Sequence, residues 1–122
     1  MSEPDELFSL RSLFYSGAFQ QAINEASGLS RLAPHLAKER DEFLYRSHVA
    51  LGQHDTVIRS IGDDASVPPS LRAIKLLATF MRDRDTREIA LLQIQEWMQD
   101  PASANDSTLQ TVTATMRMHN DE

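Results

Sequence analysis

An all-α fold built from stacked helix pairs is predicted by three features of this 122-residue chain. Apolar residues recur with the 3.6-residue period of a helix, and no stretch alternates apolar and polar residues long enough to make a sheet. Glycine is scarce, at 4 residues, and each one falls between periodic segments, where a helix would end. Turn residues also recur at a fixed distance. Gly17 and Gly52 are 35 residues apart, Pro34 and Pro69 are again 35 apart, and Pro101 follows Pro69 by 32.

The first pair opens with a helix over about 5–16, marked by Leu7, Leu10, Leu13 and Phe14. Pro4 lies in its first turn, where a missing N–H is harmless. Gly17 breaks it, and Phe19, Ala22, Ile23 and Ala26 mark a second helix ending near Gly28, with Pro34 in the loop beyond. The second pair has a helix over about 36–51, carrying Leu36, Phe43, Leu44, Ser47, Ala50 and Leu51 and ended by Gly52. A shorter helix with Val57, Ile58 and Ile61 stops at Gly62, and Pro68-Pro69 close the pair. Ser70 is placed to cap a third long helix with Leu71, Ile74, Leu77, Ala78 and Met81 on one side. Met81-Arg82-Asp83-Arg84-Asp85 reads as a turn laced with ion pairs. Asp85 and Glu88 have capping-box spacing ahead of a helix with Ile89, Leu92, Trp97 and Met98, and Pro101 follows it. Ser107 and Gln110 repeat that spacing before Leu109, Val112 and Met116, on a last helix without a partner whose apolar stripe is expected to be an interaction surface or an open solenoid end.

Periods of 32 to 35 residues with a helix–turn–helix in each predict a tetratricopeptide-like helical-repeat solenoid, about three helix pairs plus one helix, forming a single domain over 1–122. A lone pair cannot bury both apolar faces, so each unit stacks on the next.

Composition excludes several functions. With no cysteine there is no disulfide framework, thiolate metal site or thiol catalysis. Twelve Lys+Arg against 18 Asp+Glu give a formal charge of −6, the wrong sign for sequence-independent nucleic-acid binding. No apolar run reaches the roughly 18 residues needed to span a bilayer. The acidic start, Met1-Ser2-Glu3-Pro4-Asp5-Glu6, is no secretory signal, so a cytosolic protein is expected and the sequon Asn105-Asp106-Ser107 reads as fortuitous. No phosphate-binding glycine loop or nucleophile elbow occurs. His35, His48, His54 and His119 lack the spacing of a metal site, and Asp63-Asp64 read as solvated loop residues. No catalytic residue, metal or cofactor is expected.

In a helical repeat the first helix of each pair lines the concave face. By register the partner-binding groove falls on Leu7, Arg11, Phe14 and Tyr15 in the first unit and on Glu42, Arg46, Val49 and Ala50 in the second, with Ile74, Ala78 and Met81 following in the third. Aromatic and aliphatic residues with two arginines suit an apolar, partly structured polypeptide; Leu7 and Arg11 stand where a Lys/Asn clamp for a C-terminal carboxylate would need its ligands.

Two segments carry a more specific likeness. Phe14-Tyr15-Ser16-Gly17-Ala18-Phe19-Gln20-Gln21-Ala22-Ile23-Asn24-Glu25-Ala26, preceded by Asp5-Glu6-Leu7-Phe8, resembles the start of the coatomer epsilon subunit family. Glu39-Arg40-Asp41-Glu42-Phe43-Leu44-Tyr45-Arg46 resembles its second helix pair. The resemblance implies the N-terminal portion of a longer, non-enzymatic solenoid. It also implies a scaffold of the coat protein complex I coat that binds the C-terminal region of the alpha subunit and serves Golgi-to-ER retrograde and intra-Golgi transport. Such a protein would be cytoplasmic and reach Golgi membranes and coated vesicles only through the coat. The alternative is a tetratricopeptide-type adaptor for a peptide or partner protein, unrelated to vesicle coats.

Overall fold

The computed structural model describes residues 5–120. Eight helices follow one another among them, with no strand. The chain divides into two units, Met1–Gly52 and Gln53–Glu122.

The first unit holds α1 (Phe8–Tyr15), α2 (Phe19–Gly28) and α3 (Pro34–Ala50). Helix α1 starts later than its periodicity suggests. The Asp5 carboxylate accepts from the Leu7 N–H at 3.1 Å, making a turn that delays the helix; the expected role of Pro4 lies outside the described residues. At the other end the Gly17 N–H donates to Phe14 C=O (3.0 Å) and the Ala18 N–H to Leu13 C=O (2.9 Å). That pair of bonds is a Schellman closure, which needs a left-handed residue, and Gly17 has φ 84°. Gly52 repeats the device after α3, with φ 77° and its N–H donating to Val49 C=O at 3.0 Å.

Leu7, Leu10, Ala22, Ala26 and Phe43 form the core of this unit, flanked by Leu13, Phe14, Leu29, Leu32, Leu36 and Leu44. Ala22 and Ala26, one turn apart and both buried, let α2 lie close to α3. Each large apolar side chain buried here contributes about 1.5–3 kcal/mol. Ser47 is wholly buried beneath this cluster's helix and loses nothing by it, because its Oγ donates to Phe43 C=O at 2.7 Å. Arg40 fastens the α2–α3 linker by donating from Nη1 to Leu29 C=O at 2.9 Å.

The second unit holds α4 (His54–Ser60), α5 (Pro69–Arg82), a 3₁₀ turn (Arg84–Thr86), α6 (Arg87–Trp97), the single turn α7 (Pro101–Ala104) and α8 (Ser107–His119). Helix α5 is its axis, packing on α4, α6 and α8. It is accordingly buried on several sides: Leu71, Ala73, Ile74, Leu77, Ala78 and Phe80 all lie in the core. In each unit a helix rests on both members of a preceding pair, α3 on α1 and α2, and α8 on α5 and α6. This is the packing of a tetratricopeptide-like helical repeat, repeated in both units.

Several expectations from the sequence are corrected. Pro34 and Pro69 do not lie in or close the connection between pairs; each opens the next helix at its first turn, as Pro101 opens α7. Proline's preset φ and absent N–H suit that position. Ser70 is therefore no cap; Pro68 precedes the helix and Ser70 is buried inside it. The Asp85–Glu88 capping box does not form, because the chain takes a 3₁₀ turn there and Thr86 flanks α6 without a side-chain cap. At α8 the cap is Asp106, one residue before the expected Ser107, accepting from the N–H groups of Thr108 (2.8 Å) and Leu109 (3.2 Å), while Gln110 Nε2 donates to Ala104 C=O. The last helix is not without a partner: Leu109, Val112 and Met116 are buried against α5 and α6. The apolar stripe expected on α6 is turned outward, with Ile89 70% and Leu92 61% exposed, while Arg87, Ala90 and Ile94 face inward. Arg87 fixes that rotation. Its Nη1 donates to His119 C=O at 2.7 Å, its Nε to Phe80 C=O at 3.3 Å, and its guanidinium lies 4.7 Å from the Phe80 ring centroid. The Arg82–Asp83 turn carries its expected ion pairs, Arg82 bridging Asp83 and Asp55.

Candidate functional site

The first unit presents an aromatic and cationic cluster where α1 meets α3. Phe14 is its hub: its ring centroid is 5.2 Å from Tyr15, 5.5 Å from Phe19 and 5.1 Å from Phe43, and Tyr15 also meets Phe43 edge-on at 5.8 Å. Tilted and edge-to-face pairs of this kind satisfy the ring quadrupoles and hold each ring in place. The Arg46 guanidinium lies 4.6 Å from the Phe14 centroid and 5.9 Å from that of Phe43. Phe14 and Arg46 are half-buried, whereas Tyr15 is 70% exposed. A rigid cluster with one ring standing in solvent beside a guanidinium is a surface able to take an apolar group and a carboxylate together.

The other groove residues named from register are placed differently. Leu7 is fully buried in the core and has no surface to offer a partner. Arg11 joins α1 to α3 instead of facing a ligand: Nε and Nη2 form a fork on the Glu39 carboxylate at 2.8 and 3.1 Å, and Nη1 reaches Asp5. The Glu39 hydrogen bond leads the causes that raise its pKa above the ordinary arginine value. Glu42 and Val49 are half-buried and Ala50 is exposed. The structure thus gathers Phe14, Tyr15 and Arg46 into one cluster, sends Leu7 inward and commits Arg11 to holding the helices together. Phe19, Phe43 and Glu39 belong to the same assembly, though register does not place them in the groove. A shallow cavity of about 350 Å³ opens beside it, lined by Gly17 to Gln21 and Leu51.

The second unit carries two adjoining cavities that share Arg72 and Trp97. Trp97 is half-buried and forms a wall of both. Of the neighbouring acids, Asp63 pairs with Lys75 at 2.8 Å. Asp64 accepts from the Ser66 hydroxyl and N–H in a tight turn, which holds its carboxyl below the usual range. No group of three or more metal-ligating side chains occurs among the described residues, and no helix there is long and apolar enough to cross a membrane.

The family profile described as coatomer epsilon subunit matches residues 3–122. This chain belongs to the coatomer epsilon subunit family. It is 39% identical over 119 residues to coatomer subunit epsilon-2 of Arabidopsis thaliana and 40% identical over 122 residues to coatomer subunit epsilon-1 of Oryza sativa subsp. japonica. These alignments cover 98% and 100% of the chain but 40% and 41% of the two relatives. Coatomer subunit epsilon of Dictyostelium discoideum is 34% identical over 121 residues, with 92% of the chain covered. The chain thus spans about two fifths of the length of these relatives. The epsilon-family match runs through both units, so the aromatic cluster and the Arg72–Trp97 cavities both lie in family sequence.

Proposed function

We propose that this chain supplies the N-terminal part of a coatomer epsilon subunit and works as a non-enzymatic scaffold in the coat protein complex I coat. In this reading residues 1–122 form one solenoid domain. It binds the C-terminal region of the alpha subunit, supports Golgi-to-ER retrograde and intra-Golgi transport, and reaches Golgi membranes from the cytoplasm only through the coat. The observation that carries the proposal is the family match over residues 3–122. The Phe14–Tyr15–Arg46 cluster supports it by offering the kind of anchor on which protein interfaces rely: rigid aromatic area beside an arginine.

The test is binding of the chain to a purified C-terminal segment of the alpha subunit by calorimetry. Wild-type chain binds. Tyr15→Ala, at an exposed position, removes two edge-to-face ring contacts, lowers stability by about 1 kcal/mol with the chain still folded, and weakens binding about tenfold or more, the scale of an interface anchor. A folded chain that does not bind the segment refutes the proposed partner. Binding that survives both Tyr15→Ala and Arg46→Ala at wild-type strength moves the interface off this cluster.

A further inference from the structure

Arg72 stands out in the second unit for a buried donor atom. Its Nε has no exposed surface and no hydrogen-bond acceptor among the described residues, and its guanidinium lies 5.7 Å from the centroid of the Trp97 ring. It forms a wall of both cavities. One, of about 370 Å³, is completed by Pro69, Glu96, Asp100, Ser103 and Leu109. The other, of about 260 Å³, is completed by Asp63, Lys75, Leu76, Thr79 and Gln93. Together they run along α5 from Pro69 to Thr79. Ten residues of helix make about 15 Å, the reach of four or five residues of extended chain.

Leaving a buried guanidinium N–H unpaired is costly, and a carboxylate is its best-matched acceptor. Lys75 is already engaged by Asp63 and by Ile61 C=O, both at 2.8 Å, so Arg72 is the cation available in the trough. Trp97 and Leu76, both half-buried, supply apolar wall. Glu96 and Asp100 at one end repel polyanions and favour a basic group there.

We propose that this trough binds an extended segment of a partner polypeptide. The segment places an Asp or Glu side chain on Arg72, an apolar residue beside it against Trp97, and a Lys or Arg toward Glu96 and Asp100. The proposal stands apart from the coat assignment, since it uses the second unit alone and names no coat partner.

Trp97 is the only tryptophan in the sequence, so its fluorescence reports the site directly. The experiment selects a displayed library of random 12-residue peptides on the whole chain, then titrates the enriched peptides while following Trp97 emission. Enriched peptides should carry an acidic residue next to an apolar or aromatic one and give a saturable change in emission. Exchanging that acid for its amide in the peptide, or Arg72→Gln in the protein, should weaken binding by about tenfold to a hundredfold, the scale of a hydrogen bond to a charged group. The peptide exchange leaves the protein untouched, so the result does not depend on the folding of the variant. The proposal is overturned if no peptide is enriched, if enriched peptides lack an acid, or if both exchanges leave affinity within twofold. It is also overturned if acetate or inorganic phosphate alone reproduces the emission change at the peptide's concentration, which would make the site one for small anions.

Discussion

Replacing Gly17 by alanine separates conformation from crowding at the turn between α1 and α2. A β-carbon at Gly17 meets no atom within 4 Å, so the substitution carries no steric clash. The whole effect comes from φ 84°, where an L-residue costs about 1–2 kcal/mol. Alanine also restricts the unfolded chain, returning about 0.4–1 kcal/mol, which leaves a net loss of up to about 1.6 kcal/mol, about 0.8 at mid-range. Gly28, the last residue of α2, is the internal control. Its β-carbon also meets nothing within 4 Å, but its φ is outside the left-handed region, so Gly28→Ala should stabilise by about 0.4–1 kcal/mol. The two alanines should therefore shift stability in opposite directions. Gly17→Asn should lose less than Gly17→Ala, because asparagine tolerates the left-handed region. Gly52→Ala, at φ 77° and equally open, should follow Gly17→Ala. Urea unfolding followed by circular dichroism at 222 nm measures all four. If Gly17→Ala and Gly28→Ala move the midpoint the same way, the Schellman account of this turn fails.

Two further outcomes follow from local chemistry. Asp106→Ala removes the carboxylate that accepts from Thr108 and Leu109 and should destabilise the chain by about 1 kcal/mol, whereas Ser107→Ala should change stability little; comparable losses for both would return the cap to Ser107. Burial draws the His54 pKa below its ordinary value of 6.5, with Asp55 opposing and Arg82 assisting, so the folded state favours neutral imidazole. Below pH 6.5 the unfolded chain binds this proton more readily. The contribution of His54 is therefore complete above pH 6.5 and declines as pH falls through the folded value. His54→Gln should flatten the loss of urea resistance between pH 7 and 5, and an unchanged pH slope would contradict the assignment.

How far the sequence can be read depends on what sets each feature. Helix positions and the turns at Gly17 and Gly52 are encoded locally, by apolar spacing and by the one residue type that reaches positive φ without strain, and they were legible. The face that α6 turns inward was not. Ile89 and Leu92 make as regular a stripe as Ala90 and Ile94, and the choice is settled by Arg87 reaching backbone carbonyls of Phe80 and His119, 7 and 32 residues away. Phe80 carries no stripe signal because α5 is enclosed by three helices, and a helix buried on several sides has no single apolar face. At the aromatic cluster, register located Phe14, Tyr15 and Arg46 but also proposed Leu7 and Arg11. A repeat position says which face a residue occupies, and not whether a neighbouring side chain has already claimed it.

The closed core of the first unit bears on how this chain is made. Leu7, Leu10, Ala22, Ala26 and Phe43 lie within 37 residues of one another in sequence, and α3 closes the unit by packing on both α1 and α2. Every contact that encloses this core is therefore complete once α3 has left the ribosome. Structures dominated by such near-neighbour contacts fold within about a millisecond or faster, far ahead of synthesis at about 5–20 residues per second. The first unit can take its form before the last helix has been translated, with its apolar residues sheltered while the remainder of the polypeptide is still being added.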